Sequence, residues 1–224
     1  MRTFPVSLVA ACLSVTHAFG QSDNMLAITD VIAQLQTHYA TLGDFSADFV
    51  HTYAGGVLSA TDPEYGTVHV KNPGRWRFDY TKPEKKVFVC DGTSIRSYFP
   101  ADRQVIVSQL PADASASTPA LFLAGIGDVS RDFAAEFAQA PTSIDRSWII
   151  RLTPTGNDAN YTQLTLTLDR SSLAIQQMAT TDFQGGISTF TFSNLKENSG
   201  LPDTYFAFAI PQDVEVLTDD SFTR

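Results

Sequence analysis

The sequence predicts an α+β fold, one N-terminal helix followed by a sheet curled into a barrel or half-barrel. Three observations predict it. Apolar residues recur with a 3.6-residue period over Met25–Leu42. From Phe45 onward the period changes to two. Strand-like runs of this kind then recur at spacings of roughly 8–12 residues, giving about eleven strands. A chain of 224 residues, 43% hydrophobic and 17% charged, can bury a core of that size.

The first twenty residues read as a secretory signal peptide. Arg2 is followed by an apolar run from Phe4 to Leu13, then by small residues at Thr16, Ala18 and Gly20. Cleavage is expected after Ala18 or Gly20, leaving residues 21–224 as one exported domain. Val9-Ala10-Ala11-Cys12 resembles a bacterial lipobox. The apolar character continues past Cys12, however, which suits a later cut. Cys90 is then the only thiol and no internal disulfide is possible.

The helix over Met25–Leu42 places Ile28, Val31, Ile32, Leu35, Tyr39 and Leu42 on one stripe. Ser22 or Asp23 is the expected cap and Gly43 the expected stop. Phe45–Phe49 alternates and runs toward a turn at Ala54-Gly55-Gly56. Gly66, Val68 and Val70 share one side of the next strand. Asn72-Pro73-Gly74 is a turn signal. Trp76, Phe78 and Tyr80 then alternate with Arg75, Arg77 and Asp79, one aromatic face against one wet face. Strands follow at Val87–Val89, Ile95–Phe99 and Val105–Leu110.

The middle differs. Pro111–Ser117 is irregular, and Pro119 opens a short helix, Ala120-Leu121-Phe122-Leu123-Ala124. Asp128 caps a second one, with Val129, Phe133 and Phe137 on one face. Strands resume at Trp148–Leu152, Leu164–Leu168, Ile175–Met178 and Ile187–Ser193, where Phe190 and Phe192 share a face. The last is expected at Tyr205–Ile210, with Phe206 and Phe208 on one face.

Composition excludes several functions. Formal charge is −9, and without Arg2 about −10, which argues against a nucleic-acid partner. Two cysteines cannot build a four-thiolate metal site, and four scattered histidines argue against a His-rich one. Nucleophile-elbow, zincin, P-loop and dinucleotide motifs are absent from the sequence. His38, His51 and His69 have no carboxylate at ligand or triad spacing and read as surface or strand histidines. Asp48, Asp79 and Asp182 read as solvated strand or turn carboxylates. Neither catalysis nor a cofactor is expected. Instead, 16 Phe residues concentrate on strand faces and short helices. They either pack a solid core or line a cavity, and composition does not choose.

The run Lys71-Asn72-Pro73-Gly74-Arg75-Trp76-Arg77-Phe78-Asp79-Tyr80 resembles the LolA family of periplasmic lipoprotein carriers. The likeness continues through Pro83, Val87–Gly92, Tyr98-Phe99-Pro100 and Gln104-Val105. It recurs at Ser117–Gly125 and ends at Phe206-x-Phe208-x-Ile210-Pro211-x-x-Val214-Glu215-Val216. In order and spacing it spans about residues 25–217.

The resemblance implies an unclosed antiparallel β-barrel covered by an α-helical lid, with lipoprotein acyl chains held in an apolar cavity. Val68, Val70, Trp76, Phe78, Tyr80, Leu121, Phe122, Phe190, Phe192, Phe206 and Phe208 are the expected lining. Ile32, Leu35 and Pro119 belong to the expected lid. The implied partners are lipoproteins, an inner-membrane lipoprotein-releasing ABC transporter and an outer-membrane acceptor lipoprotein, served by a monomer in the periplasm. Two other roles stay open on the same fold, an anchored acceptor lipidated at Cys12 and a regulatory lipid-binding module. The resemblance also implies a latch, since many family members carry Arg before the hairpin proline, where its side chain bonds lid backbone in the closed state. Asn72, shorter and uncharged, occupies that position here.

Overall fold

The computed structural model describes residues 26–55, 61–110, 128–156 and 159–219. The expected signal segment, including Cys12, and the expected helix carrying Pro119, Leu121 and Phe122 lie outside these residues.

Helix α1 (Ile28–Thr41) precedes strands β1 (Asp44–Gly55), β2 (Glu64–Lys71), β3 (Arg75–Lys82), β4 (Lys86–Cys90), β5 (Ser94–Phe99) and β6 (Gln104–Gln109). A single helical turn, α2 (Val129–Asp132), leads into β7 (Phe133–Phe137). The chain continues through β8 (Ser147–Pro154), β9 (Gln163–Asp169), β10 (Ile175–Thr181), β11 (Gly186–Glu197), a 3-10 turn at Asp203–Phe206, and β12 (Glu215–Asp219). The twelve strands form one sheet in the order β12-β6-β5-β4-β3-β2-β1-β11-β10-β9-β8-β7. Its edge strands, β12 and β7, do not pair with each other, so the sheet is unclosed. Every neighbouring pair is antiparallel except β12 with β6, which is parallel.

Alternation divides the sheet into an inner and an outer face. Register puts Val68 opposite Ala47 and Phe78, and Val70 opposite Phe45 and Trp76. Leu166 lies opposite Ile150 and Met178. All of these are buried and form one core cluster with Val31, Ile32 and Leu35 of α1. The helix therefore packs its predicted stripe against the inner face of the sheet. Tyr39 adds a polar tie, since its hydroxyl oxygen accepts the Ile175 N–H at 3.1 Å.

Four expectations are corrected. The helix begins at Ile28 rather than Met25, with Ala27 at its N-cap and no side-chain cap from that residue; the expected caps Ser22 and Asp23 lie outside the described residues. It ends at Thr41, with Leu42 already extended, rather than at Gly43. Asp128 does cap α2, accepting from the Ser130 and Arg131 N–H groups, but that helix stops after one turn. Phe133 and Phe137 sit in β7, paired with β8. An i, i+4 pair satisfies a helix stripe and a strand face alike, and the open edge of β8 decides for the strand.

The fourth correction is the C-terminal segment. No strand forms over Tyr205–Ile210. Residues 203–206 make the 3-10 turn, and the last strand among the described residues is β12. The segment instead crosses the outer face. Asp44, 5% exposed, anchors its start by accepting from the Ser199, Gly200 and Leu201 N–H groups and the Ser199 hydroxyl. Asp203 then ion-pairs with Lys71 at 2.6 Å and Arg75 at 2.7 Å. The Tyr205 ring lies 4.5 Å from that of His69 and under the Arg77 guanidinium. The face predicted to be wet is thus largely covered.

Gly66 shows how tightly the inner face is built. A Cβ there would lie 2.3 Å from the Asp79 carbonyl oxygen and 2.5 Å from Cζ of Phe49. Gly66→Ala is expected to destabilise the fold by about 3 kcal/mol, read as a lowered urea midpoint, because neither backbone nor packed ring can yield cheaply. A midpoint within error of the parent would show that the ring moves freely.

Candidate functional site

The inner face carries a continuous aromatic surface. Phe49 is its centre, with ring centroids 5.7 Å from Phe78, 4.8 Å from Tyr80 and 5.5 Å from Phe190. Trp76 extends it along β3, 5.9 Å from Phe78. Phe192 extends it along β11, stacked 6.2 Å from Phe190. Phe88 joins Tyr80 to Phe99 across β4 and β5. Phe49, Trp76, Phe78 and Tyr80 are buried, whereas Phe190, Phe192 and Phe88 are only partly so. Strand pleat explains the set, since β1, β2, β3, β4 and β11 are neighbours and each contributes alternate residues to the same side.

The structure thus brings together Val68, Val70, Trp76, Phe78, Tyr80, Phe190 and Phe192, with Ile32 and Leu35 packed in the same core. It separates Phe206 and Phe208 from them. Phe206 is 1% exposed but stands outside the inner core, beside Arg75 and Arg96. Phe208 contacts Tyr98, which faces outward with Val87 and Val105. These two phenylalanines pack the outer face. Their alternation was real, but a two-residue period cannot say which side of a sheet a crossing segment meets.

Asn72 lies in the turn between β2 and β3 and reaches the end of α1. Its Nδ2 donates to the Tyr39 carbonyl at 2.9 Å and to the Leu42 carbonyl at 2.8 Å. Its backbone N–H donates to the Gly43 carbonyl at 3.0 Å. Carbonyls at a helix C-terminus have no intrahelical partner, so the amide caps α1 from across the chain. A short side chain suffices because the backbone bond already holds the two segments together.

Sequence reasoning missed one cluster. The alternation of Phe45, Ala47 and Phe49 carries on to His51, placing it on the inner face. His51 Nδ1 is 3.2 Å from Glu64 Oε2 and 3.2 Å from the Tyr80 hydroxyl, and its Nε2 is 2.9 Å from Ser188 Oγ. Lys86 Nζ donates to Glu64 Oε1 at 2.5 Å and lies over the Tyr80 ring. The imidazole stacks on Phe190 at 4.1 Å. Burial holds the His51 pKa below its usual value, with Lys86 adding to the shift and Glu64 opposing it. Burial also pushes the Tyr80 phenol upward.

The remaining candidates are ordinary. His38 bonds Glu197 at 3.2 Å, Asp79 pairs with Arg77, Asp182 accepts from Tyr53, and Asp48 accepts from Asn194. Cys90 is buried, and burial raises its pKa, as suits an unreactive thiol. Among the described residues there is no cluster of metal-ligating side chains, and no helix long and apolar enough to cross a membrane.

Residues 40–209 match the family model described as outer membrane lipoprotein carrier protein LolA. An outer-membrane lipoprotein carrier protein of Chromobacterium violaceum is 27% identical over 97% of this chain and 98% of its own. One from Leptothrix cholodnii is 29% identical over 96% and 94%. Among solved structures, a conserved protein from Thermus thermophilus superposes with a TM-score of 0.54 at 10% identity, over 85% of this chain and 98% of that one. That last likeness concerns the fold alone.

Proposed function

This chain belongs to the LolA family, and from that premise we propose that it carries lipoproteins across the periplasm, holding their acyl chains against the inner aromatic face. The observation that carries the reading is the uninterrupted apolar surface from Phe192 through Phe49 to Trp76, with α1 packed in the same core. Helix α1, tethered by Asn72, serves as one part of the lid.

Physical arithmetic supports a carrier. Burying each CH₂ is worth roughly 0.8 kcal/mol, so one long acyl chain represents on the order of 10 kcal/mol. Such a chain stays in water only if a protein face replaces the membrane. Membrane and protein offer similar burial, so loading needs outside work, here assigned to an inner-membrane ABC transporter. Delivery goes to an outer-membrane acceptor lipoprotein whose face binds the chains better. The carrier itself acts by binding alone, without a catalytic step, as a monomer.

The test is native purification of the tagged protein from periplasm, with transfer to the acceptor blocked, followed by mass spectrometry. Acylated lipoproteins are expected to copurify at close to one per carrier. Protein that emerges free of lipoprotein under this block would reject the role.

A further inference from the structure

We infer that the polar cluster at one end of the aromatic face is a binding site for the ester carbonyls of a diacylglyceryl lipid anchor, with Tyr80 and Lys86 as the donors. The inference rests on the carrier reading and assigns the polar part of the cargo a place.

Polar groups on an apolar face lose water and need partners. Four strands and the start of β11 nevertheless deliver His51, Glu64, Tyr80, Lys86 and Ser188 to one spot beside Phe190. Glu64 only accepts, so the His51 Nδ1 proton turns to it, and Nε2 then accepts from the Ser188 hydroxyl. This tautomer is assigned from the partners. The lowered pKa of His51 agrees with a neutral ring.

Donors are then left over. With Nδ1 protonated, the Tyr80 O–H has no acceptor there, and among the described residues no other one is given to it. Lys86 spends one N–H on Glu64 and keeps two. Lys86 and Glu64 cancel in charge, so the cluster offers hydrogen-bond donors without a net field. A neutral, acceptor-only group beside apolar chains fits that description, and an acyl ester is such a group. The Tyr80 ring continues the surface on which the chains would lie, through Phe49 and Phe88. One side chain thus spans the change from hydrocarbon to ester.

The experiment compares three probes of equal chain length on the full mature protein by calorimetry. They are a diacylglyceryl-cysteine peptide, its dialkyl-ether analogue and a short-chain phosphatidylglycerol. The parent protein is expected to prefer the ester peptide to the ether by about 25-fold, the worth of two net hydrogen bonds. Tyr80→Phe, which keeps the ring, should lower the ratio to about fivefold. So should Lys86→Met combined with Glu64→Gln, which removes both charges together. Equal affinity of the parent for ester and ether overturns the inference and leaves the carrier reading intact. So does a ratio that is unchanged in both variants. Failure of the parent to bind any probe overturns the carrier reading instead. Phosphatidylglycerol binding more tightly than the peptide would reject the protein-linked anchor as the source of the ester.

Discussion

Asn72→Asp is expected to detach the C-terminal end of α1 from the sheet. The two side chains have nearly the same shape, so packing is conserved and only hydrogen-bond polarity changes. Asn72 Nδ2 now meets the Tyr39 and Leu42 carbonyls, whereas its Oδ1 is buried without a partner among the described residues. The arrangement uses donors alone. A carboxylate would set oxygen against oxygen on both contacts, at the negative end of the helix dipole. Two lost bonds and the added repulsion amount to about 3 kcal/mol.

Amide exchange over residues 35–42 should then accelerate by about 100-fold. On the proposed lid role of α1, lipoprotein release to acceptor vesicles should quicken. Acid should reverse part of the effect. The surrounding carbonyl oxygens raise the pKa of the introduced carboxyl, and below that pKa its O–H donates to one of them. Protection should therefore return as pH falls through the raised value. Unchanged exchange at neutral pH would show that the Asn72 bonds do not hold the helix.

Trp76→Glu should abolish acyl binding. Trp76 is 4% exposed and stands between Val70 and Cys90 in register, with Phe78 beside it. Lys86, the inner-face cation among the described residues, is already bound to Glu64, so a carboxylate at position 76 either takes up a proton or opens the structure. The lost aromatic contacts and the buried polar group together cost about 4 kcal/mol. Melting should fall by roughly 8–16 °C for a chain of this size. Trp76→Phe is the informative contrast. The Trp76 indole N–H has no hydrogen-bond partner among the described residues, so its removal breaks no bond. That variant should fold and retain binding to within about fivefold. Full binding by Trp76→Glu would mean that the acyl chains lie elsewhere.

The legible parts of this fold are those in which one strand explains its own pattern. Trp76, Phe78 and Tyr80 alternate with charged neighbours, and β3 forms over Arg75–Lys82 with those rings inward. Leu164, Leu166 and Leu168 alternate with Thr165 and Thr167 in β9, where each leucine is fully buried. The stripe of Val31, Ile32 and Leu35 faces the core as its spacing requires. Illegible parts are those in which one pattern serves two structures. Phe133 and Phe137 fit helix and strand equally, and only pairing with β8 separates them. Phe206 and Phe208 alternate like a strand, yet their segment ends as a strap over the outer face, held by Asp44 and Asp203. Asp44 gave no signal beforehand, because its partners are backbone N–H groups more than 150 residues away.

The sequence alone determined the β-rich class, the faces of its regular strands and the family, because periodicity and short motifs are local properties of the chain. Only the tertiary structure decided which groups meet. His51, Glu64, Tyr80, Lys86 and Ser188 share one cluster because the register of β1 with β2 and β11, and of β3 with its neighbours, aligns them. Asn72 reaches α1 because the β2–β3 turn is bonded to Gly43. Both outcomes depend on contacts between residues distant in sequence, and no local pattern encodes a distance of that kind.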